Sequence, residues 1–226
     1  MIAARQIFLG RGGGGGIPYV MTSAPEGTSG FRVPWANGTD TGFKIELGIY
    51  IPSSSSTVDG GRGYLYAVNN SIGYRIFSLT FDSSEAKTGF SIDTDTQDSG
   101  RRTVWQGTWW SSTNLGDYRG VPCHITYNNS TRGGSFSYGD STYSAPASQG
   151  TRSAEYPSEV YILNGVPGSY EHGLLYIRYI AGNGLVLHEY VPVKSTGGLA
   201  KLKDTVTGII YDASTLSLFT YGELSS

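Results

Sequence analysis

The feature that most constrains this chain is a strict two-residue alternation. Phe43, Ile45, Leu47, Ile49 and Ile51 are separated by Lys44, Glu46, Gly48 and Tyr50. Successive side chains of a β-strand point to opposite faces, so this pattern specifies a half-buried strand and fits no helix. Pro52 and the serines at 53–56 then close the run as a loop.

Shorter segments of the same kind follow at 63–68, 74–81, 90–93, 103–109, 123–127, 134–138 and 159–164. The strongest lie near the C-terminus. Residues 174–181 and 185–193 flank Gly182-Asn183-Gly184, a tight hairpin in which Asn-Gly supplies positive φ angles. Strands at 200–203, 209–211 and 216–221 complete the set. Turn signals recur roughly every 8–12 residues, and no helical window or fixed-period repeat interrupts them. The pattern predicts an all-β fold, a two-sheet antiparallel jelly-roll sandwich. Composition agrees: 33 Gly and 17 Tyr, with only 15% charged residues, suit many short strands joined by tight turns.

The first 30 residues differ. Gly12–Gly16 have no side chains to bury and read as a flexible link. We therefore expect an N-terminal arm and glycine-rich linker over 1–30 and one jelly-roll domain over 31–226. Ile2, Ile7, Phe8 and Leu9 are the residues by which such an arm could dock on a partner. The glycine run lacks the Gly-Lys-Ser/Thr ending of a phosphate-binding loop.

Charge and cysteine usage narrow the function. A net charge of −2 with scattered basic residues offers no footprint for nucleic acid or an anionic membrane. No apolar run reaches the roughly 18 residues of a transmembrane helix. The N-terminus shows no signal-peptide core, so synthesis in a cytoplasm is expected. Cys123 is the single cysteine. It reads as a buried small side chain, and His124 beside it on a strand points the other way.

The C-terminal quarter carries a resemblance. Gly173 to Val193 reads Gly-Leu-Leu-Tyr-Ile-Arg-Tyr-Ile-Ala-Gly-Asn-Gly-Leu-Val-Leu-His-Glu-Tyr-Val-Pro-Val. Gly198-Leu-Ala-Lys-Leu-Lys-Asp204, Thr207-Gly-Ile-Ile-Tyr-Asp212 and Leu218-Phe-Thr-Tyr-Gly222 follow, and Asp40-Thr41-Gly42-Phe43 opens the first strong strand. These segments resemble concanavalin A-like (LamG-like) jelly rolls of bacteriophage virion proteins and gut-bacterial surface proteins. The chain departs from that pattern at Lys203 and at Ala213–Leu216. The resemblance implies a virion structural or adhesion protein, assembling with other virion proteins and copies of itself and binding cell-surface or mucus glycans. A carbohydrate-binding module of a bacterial surface protein is the alternative, and a glycoside hydrolase the third. Pro192 reads as a strand end or sheet edge, and Asp204 as the anchor of the turn that follows it.

A retaining glycosidase needs two carboxyl groups about 5–5.5 Å apart. Glu46 stands with Gly48 and Tyr50 on its strand face, Glu155 and Glu159 flank Pro157, and Glu189 has Leu187 and Val191 beside it. No paired acid emerges along any one strand, and no catalytic role is assigned. His124, His172 and His188 fall in no triad motif. Asp93, Asp95 and Asp98 before Gly100 faintly resemble a calcium loop, but no Glu follows at the twelfth position. The segment reads as a polar loop, with calcium the minority alternative and otherwise no cofactor.

The aromatic cluster is the candidate binding site. Trp105, Trp109 and Trp110 lie within six positions, with Tyr118 nearby and Gln106, Asn114, Asp117 and Arg119 as polar neighbours. Sugar rings stack on indole while polar groups bind their hydroxyls. Trp105 and Trp109 share one strand face and suit the core, whereas Trp110 faces the other way and suits an exposed platform.

Overall fold

The computed structural model describes residues 16–22, 30–35, 42–53, 61–67, 78–82, 89–96, 100–108, 119–131, 133–145, 158–163, 172–215 and 218–225. For the segments between 61 and 108 the description covers the backbone.

The expected all-β, two-sheet antiparallel sandwich is observed. The larger sheet has ten strands. Eight of them run across it in the order β10 (Ser141–Ala145), β9 (Gly133–Tyr138), β8 (Pro122–Asn128), β3 (Lys44–Tyr50), β12 (His172–Ile180), β13 (Val186–Lys194), β14 (Ala200–Asp204) and β15 (Ile210–Tyr211). The other two, β1 (Ile17–Thr22) and β16 (Phe219–Leu224), join through β12. The smaller sheet runs β2 (Phe31–Pro34), β11 (Glu159–Ile162), β4 (Gly61–Ala67), β5 (Ser78–Asp82), β6 (Gly89–Thr96) and β7 (Gly100–Thr108).

The alternation seen in β3 explains how the sheets close on each other. Ile45, Leu47 and Ile49 face inward with Cys123 and Ile125 of β8 and Ile177 and Tyr179 of β12. They form one core with Phe31 and Val33 of β2 and Val160 and Ile162 of β11. Trp35 packs edge-on against Tyr179 at 5.2 Å, and Phe31 against Phe219 at 4.9 Å. The Tyr190 hydroxyl donates to the Pro34 carbonyl, tying β13 to the smaller sheet. Burying these side chains is the main driving force for closure.

β12 organises the larger sheet. One edge pairs with β3 throughout; the other pairs with β1 over 172–174 and with β13 over 177–180. Its pairing with β3 shifts register between Leu174 and Tyr176. Pro192 lies in β13 beyond the last residue paired with β12, so its missing N–H costs no bond on that side.

Ile17–Thr22, grouped with the arm in the sequence, forms β1, and Val20 is fully buried. Pro18 and the polar inward Thr22 hide the strand from an apolar periodicity test. Residues 1–15, including the apolar arm and most of the glycine run, lie outside the described residues. Asp93 and Asp95, read as part of a polar loop, instead belong to β6, where they pair with Thr103 and Arg101 of β7.

Candidate functional site

Strands that bury alternate residues must turn the others away. On the larger sheet this leaves an outer face remote from the smaller sheet, and the pairing registers align it in rungs. One rung reads Ser137, His124, Gly48, Tyr176. The next reads Ser135, Thr126, Glu46, Arg178, Glu189. At the end nearer the tyrosines, Tyr50 pairs with Pro122 and Gly173, with Tyr19 and its partner Gly222 alongside.

Two tyrosines lie flat on this face because glycines make room. A Cβ on Gly48 would sit 2.5 Å from the Tyr176 ring. One on Gly222 would penetrate the Tyr19 ring, whose opposite edge lies 3.6 Å from the corresponding position on Gly173. Tyr19 and Tyr50 are half-buried with ring centroids 5.2 Å apart. Tyr176 is buried, with the Arg178 guanidinium 5.4 Å from its ring and the His124 ring 6.0 Å away.

The polar groups form two linked sets. His124 Nδ1 and the Tyr176 hydroxyl share a hydrogen bond of 3.2 Å. Burial lowers the His124 pKa, so the imidazole is neutral at neutral pH. Burial, reinforced by Glu46, raises that of Tyr176. Beside them Arg178 donates from Nε to Glu189 Oε1 at 2.6 Å and from Nη1 to Glu46 Oε2 at 3.3 Å, and its Nη2 lies 2.5 Å from Glu189 Oε1. Burial works against the charge on Arg178, but the two carboxylates outweigh it and raise its pKa. Thr205 Oγ1 donates to the other oxygen of Glu189. Glu46 Oε1 has no partner among the described residues.

Glu46 and Glu189, which look isolated along the chain, are thus brought to one arginine. The signal is cross-strand register, which no single strand's pattern contains. Cys123 behaves as read: fully buried on the inward face, with burial pushing its thiol up to about 12. The Asp204 turn is also as expected, since its Oδ1 accepts the Val206 N–H at 3.0 Å.

The tryptophan-centred site is not assembled by the described residues. Trp105 and Gln106 lie in β7 of the smaller sheet, opposite Ile92 and Ser91. Trp109, Trp110, Asn114, Asp117 and Tyr118 lie outside the described residues. Arg119 precedes β8 in a turn whose Gly120 N–H donates to the Ile51 carbonyl, close in sequence to Tyr50. Among the described residues no group of three or more His, Cys, Asp or Glu could hold a metal ion. No described helix is long and apolar enough to cross a membrane.

No family model and no curated protein matches the chain. Several solved structures are similar. The full extracellular region of zebrafish Gpr126/Adgrg6 is 11% identical with a TM-score of 0.40, the match covering 72% of this chain and 21% of that one. An alginate lyase from Pseudomonas aeruginosa is 13% identical with a TM-score of 0.32, covering 66% and 68%. A polysaccharide lyase of family 18 is 9% identical with a TM-score of 0.32, covering 72% and 86%. Likeness at this level carries no argument about chemistry, which rests on the face itself.

Proposed function

We propose that this protein is a non-enzymatic adhesion protein that takes a glycan on the outer face of its larger sheet, as a structural component of a bacteriophage virion. The observation that carries the binding reading is the half-buried ring pair of Tyr19, laid over Gly222, and Tyr50, beside a rung of ionisable side chains. Flat aromatic rings offer apolar area to the C–H faces of sugars, and nearby carboxylates, hydroxyls and imidazole bind the hydroxyls. Ser135, Ser137 and Thr126 extend that polar lining across β8 and β9. The virion setting draws support from the resemblance of residues 173–222 to virion jelly rolls. On that reading the protein's partners are other virion proteins and copies of itself.

A second reading, a carbohydrate-cleaving enzyme, is favoured by one observation. The neutral His124 and the Tyr176 hydroxyl share a hydrogen bond, and such pairs can carry a proton between substrate and solvent.

A glycan-array screen of the folded full-length protein, beside Tyr19→Ala and Tyr50→Ala, tests the binding reading. Saturable binding weakened about tenfold in each variant is expected, on the scale of one lost stacking contact. Absence of binding to any glycan would sink it. Chain shortening of a bound polysaccharide, lost in Tyr176→Phe, would replace it with the enzyme reading.

A further inference from the structure

The outer face has a charge arrangement that bears on which glycans it can accept. Arginine is the side chain best suited to recognise a carboxylate, because its planar fork offers paired N–H donors. Among the described residues, Arg178 is the cation at the centre of this face, and three of its five N–H donors are engaged by carboxylates. Nε and Nη2 meet Glu189, and Nη1 meets Glu46. A ligand carboxylate reaching the two remaining N–H groups would lie beside Glu46 and Glu189, whose like charge opposes it.

Two carboxylates against one guanidinium leave the rung with excess negative charge. The side chains concerned are only 20–31% exposed, where water screens them less than at an open surface. His124, being neutral, does not offset the charge. Glu46 Oε1, without a partner among the described residues, can accept from a hydroxyl or an ammonium.

The other described cations of this face lie at its margins. Lys44 precedes Glu46 on the same strand face, on the side away from Tyr50, so a ligand extending from the tyrosines along β3 meets Glu46 first. Lys201 is paired with Asp212 at 2.7 Å. Lys203 stands on β14 opposite Val191. Arg119, near the tyrosine end, has interactions of its own.

We propose that this face selects uncharged or amine-bearing glycans and turns away acidic ones, with Glu46 as the specificity-determining residue. The proposal rests on the glycan-binding reading above.

The test is an array carrying neutral, amine-bearing and carboxylated versions of the same oligosaccharide backbones, probed with the full-length protein and with Glu46→Gln. Hits are expected among neutral and amine-bearing members, with added carboxylates weakening any hit at least about tenfold, the scale of a misplaced charge at a partly desolvated site. Glu46→Gln should weaken amine-bearing hits roughly three- to tenfold while leaving neutral ones in place. Carboxylated members binding as well as their neutral counterparts would overturn the selectivity and leave glycan binding intact. Amine-bearing hits unchanged in Glu46→Gln would remove Glu46 from that role. Absence of hits in every class would instead remove the binding reading itself.

Discussion

Two neighbouring residues of β13, His188 and Glu189, belong to polar clusters on opposite faces of one sheet, and the clusters are built differently. Inward, Asp204 is fully buried and saturated. Its Oδ1 accepts the N–H groups of Glu189 and Val206, at 3.2 and 3.0 Å. Its Oδ2 accepts the Thr207 hydroxyl at 3.0 Å and meets His188 Nδ1 at 2.9 Å. Outward, Glu46, Arg178 and Glu189 share their bonds and leave one carboxylate oxygen free of described partners. A buried carboxylate is tolerated only when every lone pair finds a donor. The inner cluster meets that demand and holds the turn after β14. The outer one, partly exposed, can leave an acceptor unspent for a ligand.

Breaking the inner cluster should have the largest effect. Asp204→Ala strands two backbone N–H groups and the Thr207 hydroxyl, and should cost about 3 kcal/mol in urea denaturation. A loss below about 1 kcal/mol would mean the cluster is not the brace described here.

Gly48→Ala comes next and acts on the outer face. The added methyl collides with the Tyr176 ring, which must leave its place and its bond to His124. A stability loss of about 1–3 kcal/mol is expected, together with loss of glycan binding. Retained binding in a folded Gly48→Ala protein would show that the position of Tyr176 does not matter.

The smallest effect is on pH dependence, and it separates the two clusters. Burial depresses the His124 pKa below its ordinary 6.5, so the unfolded chain binds the proton first. Stability should therefore be full above pH 6.5 and fall as the pH drops through the window down to the folded value. Burial alone would raise the Asp204 pKa, but its hydrogen bonds from His188, Glu189, Val206 and Thr207 outweigh that and lower it. Its contribution is present above 3.8 and is lost only under stronger acid. Denaturation midpoints measured across pH should show the two falls, and His124→Gln should flatten the upper one alone.

The inner cluster was partly legible in advance. Asp204 before Thr-Val-Thr-Gly is turn chemistry, and its bond to the Val206 N–H spans two residues. The outer cluster was not. Arg178 meets a carboxylate 11 positions away and another 132 positions away. Aromatic clustering along the chain drew attention to Trp105, Trp109 and Trp110, whereas Tyr19, Tyr50 and Tyr176 are scattered through it. The places of Tyr19 and Tyr176 depend on which glycine lies under which ring.

Residue order alone was enough for the strand class of the alternating segments, the inward set of β3 and the hairpin at Gly182–Gly184, because side-chain period and turn conformation are local properties of the backbone. β1 and β10 lack that pattern, and β2 carries it over only 4 residues. Only the tertiary structure decided that β12 lies between β3 and β13. That adjacency unites Glu46, Arg178 and Glu189, because pairing and register are settled by the burial of all the strands together.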